Sequence, residues 1–245
     1  MKDLLLAIGF MTILPQPAGW LNKQPDHRMT GWFSLAGFFI GGLTAFFFWL
    51  IRPWMPLQPS MALALLFQYL ITGGLHLDGL ADSSDALLSF QSRQKKLEIM
   101  KDSRIGSHGA AVMILAILIK WSSLVHLPEP MHLGLLILIP AIGRAAITAG
   151  AWQASYPRFV GTGSGVIGQI ETRQLMCCWA PLFAVAFFWI KGLALIPVAF
   201  VSALILKKII SRQLGGMTGD TLGMMNELVE IGCLVTTFMI LTYWS

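Results

Sequence analysis

Charge is what this sequence has least of. Asp, Glu, Lys and Arg together make up 12% of the 245 residues, about half the share of a soluble globular domain. With 56% hydrophobic residues and a mean hydropathy of +0.69, the shortage excludes an ordinary soluble fold and points to a polytopic membrane protein. Cysteine is scarce too. Cys177, Cys178 and Cys233 are odd in number, two are adjacent and all sit in apolar runs, which argues against a disulfide framework. There is no linker, composition break, defensible internal repeat or low-complexity tract, so residues 1–245 read as one integral-membrane domain. The formal net charge of +5 is not a nucleic-acid signal, because the bases lie in loops between apolar runs, as membrane topology requires. The N-terminus lacks the basic n-region and small-residue cleavage site of a signal peptide: Asp3 interrupts the one, and Pro15-Gln16-Pro17 stands where the other would be. Its apolar run is about half the length of a span, which predicts a short interfacial or re-entrant helix.

Apolar runs are abundant. Segments 31–51, 60–77, 109–127, 132–152, 175–190, 193–210 and 227–244 predict an all-α bundle of about seven transmembrane helices. One set of loops takes Lys23, Arg28, five bases between 89 and 107, Arg158, Arg173, Lys207, Lys208 and Arg212. The other takes Arg52 and Lys191, with Lys120 near that end of the third run. The positive-inside rule makes the first side cytoplasmic.

The chain is organised around Gly73-Gly74-Leu75-His76-Leu77-Asp78-Gly79-Leu80-Ala81-Asp82-Ser83-Ser84-Asp85. Asp78, Asp82 and Asp85 are spaced i, i+4, i+7, which puts them on one face of a helix. In hydrocarbon each Asp costs about 2.5–3.5 kcal/mol, so the triplet costs about 7–10. A hard divalent cation with oxygen ligands, such as Mg²⁺, is the simplest reason to collect them. His76 is a candidate ligand or proton carrier.

Three further stretches carry chemistry. In Met100-Lys101-Asp102-Ser103-Arg104-Ile105-Gly106-Ser107-His108-Gly109, Lys101 and Arg104 are candidate phosphate clamps, and Gly106 and Gly109 let backbone N–H groups face an anion. Leu214-Gly215-Gly216-Met217-Thr218-Gly219-Asp220-Thr221-Leu222-Gly223 offers Gly216 and Thr218 to phosphate and Asp220 to metal. Glu227 and Glu230 follow at i, i+3 at the end of an apolar segment and are candidates to complete a metal shell. Arg144 lies inside a span and calls for a carboxylate or phosphate partner. The run Gly161-Thr162-Gly163-Ser164-Gly165 reads as a flexible loop before it reads as a phosphate cradle. Metal-held carboxylates beside cations that grip phosphate are the parts of phosphoryl transfer.

These runs resemble cobalamin synthase, the family also described as cobalamin-5'-phosphate synthase or adenosylcobinamide-GDP ribazoletransferase. The resemblance spans nearly the whole chain in length, motif order and hydropathy. It implies a multi-pass bacterial inner-membrane enzyme, its site facing the cytoplasm, that joins adenosylcobinamide-GDP to α-ribazole or α-ribazole 5'-phosphate with Mg²⁺ and releases GMP. A homo-oligomer or a complex of late-pathway enzymes at the bilayer is compatible with it. Asp78, Asp82 and Asp85 match the family's acidic motif, and Asp102, Arg104, Asp220, Glu227 and Glu230 its other polar positions. The expected roles are Mg²⁺ on Asp78 and Asp82, the hydroxyl proton on Asp85 or a carboxylate of 227–230, and phosphate on Lys101, Arg104 and Arg144. Two departures stand out: Ala86 where Gly is expected, and the bulky Met224-Met225-Asn226. A CDP-alcohol phosphotransferase would continue its motif with Ala-Arg, whereas Ala81 is followed by Asp82. A divalent-cation transporter would show paired halves or interrupted helices at the midplane.

Overall fold

A computed structural model of the chain describes residues 2–15, 26–157, 163–188 and 190–243. Among these there is helix and no strand, as the composition requires of a chain whose backbone must satisfy itself in lipid. The α-helices are α1 (Lys2–Met11), α2 (Phe33–Ile51), α3 (Leu57–Thr72), α4 (Leu75–Leu87), α5 (Arg93–Ile99), α6 (Ser107–His126), α7 (His132–Ala151), α8 (Thr172–Phe188), α9 (Leu195–Leu214) and α10 (Gly219–Tyr243). Gly161 and Thr162 of the Gly-rich loop, and Lys23 and Arg158, lie outside the described residues.

Five helical stretches are long and apolar enough to cross a membrane: His27–Trp54, Ser107–His126, Glu129–Ala151, Gly192–Leu214 and Gly219–Leu241. The pair α3 and α4 makes a sixth if counted as one bent span. Among the described residues the count of seven is not confirmed: α8 has 17 residues, which at 1.5 Å per residue measure about 25 Å against a hydrocarbon core of about 30 Å. Helix α1, ten residues long, is too short to span. It lies against the bundle through buried Ala7 and Met11, with Phe10 stacked on Phe33.

At the centre stands α7, in which every residue from Leu138 to Ala151 is buried. It packs on α2 across Gly37 and Gly41, whose missing side chains let the backbones touch: a Cβ at either would lie 2.6 Å from a carbonyl of α7, the small-residue contact of membrane helices. Pro140 adds to the closeness. It has no N–H for the Leu136 carbonyl, and that carbonyl faces Gly41.

The apolar run expected to extend from 60 to 77 instead breaks at Gly73 and Gly74. Both adopt left-handed backbone, φ +60° and +68°, which glycine enters without the penalty other residues meet. The chain turns by 88°, and the acidic sequence becomes a separate helix, α4, lying across α6 and α10. Helix α10 reaches α4 through close backbone contact. The Asp220 carbonyl lies 2.6 Å from where a Cβ of Gly79 would stand, and the His76 backbone lies 3.2 Å from one on Gly223.

Candidate active site

The elbow decides what the acidic face of α4 meets. His76, Leu80, Ser83 and Ser84 turn inward and are buried; Asp78 is exposed, and Asp82 and Asp85 are half-buried. Asp220 stands in the first turn of α10, over Gly79. Asp78 and Asp82 share one face of α4, and the backbone of Asp220 crosses that helix at Gly79. A cavity of about 530 Å³ opens beside Asp78 on the side of α4 that faces α1, α3 and the start of α6, lined by Asp78, Ala81, Ile105, Thr72 and the two glycines of the elbow, among others.

Asp85 has a different setting. Its carboxylate accepts the Gly106 N–H at 2.7 Å and the Gly109 N–H at 2.8 Å. The first amides of a helix have no internal partner and carry the positive end of its dipole, so Asp85 caps α6 from across the interface. A Cβ on Gly106 or Gly109 would strike this carboxylate. The amides of Gly106 and Gly109 do face an anion, as the spacing led one to expect, but the anion is Asp85 rather than phosphate.

Arg104 is held by Asp102 in a fork, Nε to Oδ1 at 3.0 Å and Nη2 to Oδ2 at 2.7 Å. This bidentate pairing holds the Asp102 carboxyl down at about 2 and raises Arg104 above its ordinary value. Lys101 is exposed on the same loop. Thr218 is wholly buried and forms a reciprocal cap with Thr221, the Thr221 N–H donating to Thr218 Oγ1 at 3.2 Å and the Thr218 N–H to Thr221 Oγ1 at 2.8 Å. Gly216 is buried against the Ser155 carbonyl, which also accepts the Met217 N–H. Both residues build the start of α10 from within.

A second polar cluster lies deeper. Glu230 accepts from Arg144 Nη1 at 2.6 Å, from Lys120 Nζ at 2.6 Å and from Asn226 Nδ2 at 2.9 Å. Glu227 accepts from Lys120 at 2.5 Å and from Asn226 at 3.2 Å. Arg144 Nη2 lies 3.2 Å from His76 Nδ1; arginine only donates, so Nδ1 accepts. Arg144 thus finds the carboxylate its position called for. His76 serves this cluster rather than Asp78. Glu227 lies seven residues past Asp220, about 10 Å along the helix, so the glutamates do not join the outer carboxylates. Lys120 and Asn226 were missed as site residues, Lys120 because it passed for a loop base. Its signal was its place inside an apolar run, where an ionisable side chain needs a partner.

Among the described residues no group of three or more His, Cys, Asp or Glu side chains is arranged to hold a metal ion. Mg²⁺ asks less of a protein: one or two carboxylates, with waters and substrate phosphates filling the rest of its octahedron. The hard oxygens of Asp78, exposed at the cavity, suit that ion, and Asp82 follows one turn later on α4.

A family model described as Cobalamin-5-phosphate synthase matches residues 3–238. Among curated relatives, the adenosylcobinamide-GDP ribazoletransferase of Thermoanaerobacter sp. (strain X514) is 32% identical over 239 residues, 96% of each chain. That of Shewanella baltica (strain OS185) is 36% identical over 94% of this chain and 90% of its own. That of Shigella boydii serotype 4 (strain Sb227) is 36% identical over 91% and 94%. No solved structure matches.

Proposed function

The chain belongs to the cobalamin-5-phosphate synthase family, and from that premise we propose that it is a ribazoletransferase. It joins adenosylcobinamide-GDP to α-ribazole or its 5'-phosphate at a Mg²⁺-dependent site on the cytoplasmic face of a bacterial inner membrane. The observation that carries the reading is the match across residues 3–238, which includes all three polar motifs. The CDP-alcohol and transporter readings gain nothing from it. The bases crowding one set of loops support the sidedness.

In the reaction a ribose hydroxyl of the acceptor attacks the phosphorus next to the cobinamide. The bond from that phosphorus to the bridging oxygen breaks, and GMP leaves with the oxygen. Bound Mg²⁺ supplies charge neutralisation of the pyrophosphate oxygens. Asp85 already gives both oxygens to the cap of α6, and Glu227 and Glu230 are held by Lys120 and Arg144. Asp78 lines the outer cavity; of Asp78 and Asp82, one would hold the metal with Asp220 and the other would take the hydroxyl proton. Lys101 and Arg104 stand on the exposed loop from which a phosphate is approached, Arg104 by exchanging Asp102 for the substrate.

The test is direct. Purified protein in lipid, given adenosylcobinamide-GDP, α-ribazole 5'-phosphate and Mg²⁺, should release GMP together with a cobalamin 5'-phosphate, and EDTA should stop it. No GMP from folded protein would overturn the assignment. GMP release that survives EDTA would overturn the metal.

A further inference from the structure

Behind the elbow lies a second cavity, of about 680 Å³, between α3, α6, α7 and α10. Its upper walls are apolar, with the rings of Tyr69 and Trp121 among aliphatic side chains, and its floor is the buried ion cluster. Trp121 Nε1 donates to the Gln58 carbonyl at 3.0 Å and ties α6 to α3 along one edge. Tyr69, Thr72, Gly74, Leu77 and Met113 line both this cavity and the one that reaches Asp78. The two spaces share the elbow as a common wall.

Resting on the function proposed above, we propose that this inner cavity is the subsite for the aromatic base of the acceptor, and that Lys120 reads the base's ring nitrogen. Size decides between the substrates. The volume is in the range that encloses a drug-sized ligand, which admits a fused bicyclic base with its ribose. The donor, a nucleotide diphosphate carrying a whole corrinoid, does not fit. Chemistry decides the orientation. A flat, uncharged base belongs against the apolar walls, and its sugar then lies at the elbow, towards Asp78. The floor offers one specific donor. An ammonium has three N–H bonds; two of Lys120's go to Glu227 and Glu230, and the third has no acceptor among the described residues. A benzimidazole-type base linked to ribose has one free ring nitrogen, an acceptor. A lipid acyl chain would use the walls but gain nothing from a floor of charged groups.

The first test keeps the protein native and changes the acceptor. Replacing the benzimidazole of the ribotide by indole keeps the shape and removes only the ring acceptor. A site built around a hydrogen bond rejects an analogue lacking it, so kcat/KM should fall at least tenfold, with the donor KM unchanged. Equal use of the two ribotides would overturn the role of Lys120. The second test narrows the cavity at Leu118, a lining residue that is half-exposed and so tolerates a larger side chain. Leu118→Trp should raise the acceptor KM at least fivefold and leave the donor KM alone. Unchanged acceptor KM, or a rise for the donor instead, would overturn the subsite. Calorimetric binding of α-ribazole 5'-phosphate to native and Leu118→Trp protein in nanodiscs, without donor, separates this inference from the reaction. Native binding weakened by the substitution supports the subsite even if no GMP were ever released, and equal binding refutes it even if GMP is. A co-purified phospholipid that the ribotide fails to displace would also refute it.

Discussion

Glu230→Gln puts the inner cluster to its sharpest test. Glu230 meets Lys120, Arg144 and Asn226 in a site where it is only 2% exposed. Lys120, Arg144, Glu227 and Glu230 sum to zero charge. Glutamine keeps the shape and one acceptor but leaves the cluster at +1, and removing one partner of a buried pair costs about 3–5 kcal/mol because the charge left behind is uncompensated. For a chain of this length each kcal/mol moves the unfolding midpoint by about 2–4 °C, so the variant should melt about 6–20 °C lower. A thiol-reactive dye reads the transition, since Cys178 and Cys233 are buried; the exposed Cys177 is first replaced by Ser. The double variant Arg144→Met with Glu230→Gln removes one charge of each sign and leaves the Lys120–Glu227 pair, at 2.5 Å, intact. It should melt no lower than either single variant, a coupling of about 0.5–3 kcal/mol or more in the cycle. A shift under about 3 °C for Glu230→Gln, or a double variant that loses the sum of the singles, would refute the electrostatic account.

Two further outcomes follow from the outer residues. Asp85→Asn offers one oxygen to the amides of Gly106 and Gly109 and turns an NH₂ group towards the other. The cap should lose about 1–3 kcal/mol, and amide exchange at those two glycines should quicken before that of the rest of α6; unchanged exchange would show that the carboxylate does not hold the helix. Asp102 has its carboxyl lowered from 3.8 to about 2 by the Arg104 fork. A depressed folded value means the pairing is fully present above the unfolded value and is lost as pH falls through about 2, so the fork stands throughout the neutral range. Carbon-detected titration of Asp102 should find its midpoint near 2, and a midpoint near the ordinary carboxylate value would mean the fork is absent in solution.

The membrane class, the helical fold and the shared face of Asp78, Asp82 and Asp85 were legible because each rests on composition or on a period within one segment. What lies across from a segment was not. The i, i+7 spacing of Asp78 and Asp85 says that they share a face, but not that α6 begins beside the second of them and donates its first amides to it. The same blindness sent Glu227 and Glu230 to a metal shell: their partners, Lys120 and Arg144, come from two other helices and lie more than eighty residues away in sequence. Charge balance was the available clue. Two cations and two carboxylates inside apolar runs cancel, and in a low-dielectric interior they had reason to meet. The elbow was half legible. The sequence shows Gly73-Gly74 just ahead of the acidic motif, but neither the 88° turn made there nor the packing of α10 on Gly79, which no local signal reports.

The two polar clusters differ in what they can give up. Inside, every carboxylate oxygen named above holds a cation or an amide N–H, and drawing one towards a metal would strand Lys120 or Arg144 at a cost of about 3–5 kcal/mol. At the edge, Asp85 holds α6 in place and fixes the loop of Lys101 and Arg104 relative to α4. Asp78 differs from these: it is exposed, lines the outer cavity and, among the described residues, neither caps a helix nor closes a salt bridge. It can take a ligand from water without breaking a contact on which the fold depends. The cation chemistry proposed above therefore falls to Asp78 at the outer cavity. The neutral inner cluster, rigid because its charges are satisfied, is suited to shape the cavity behind it rather than to bind metal.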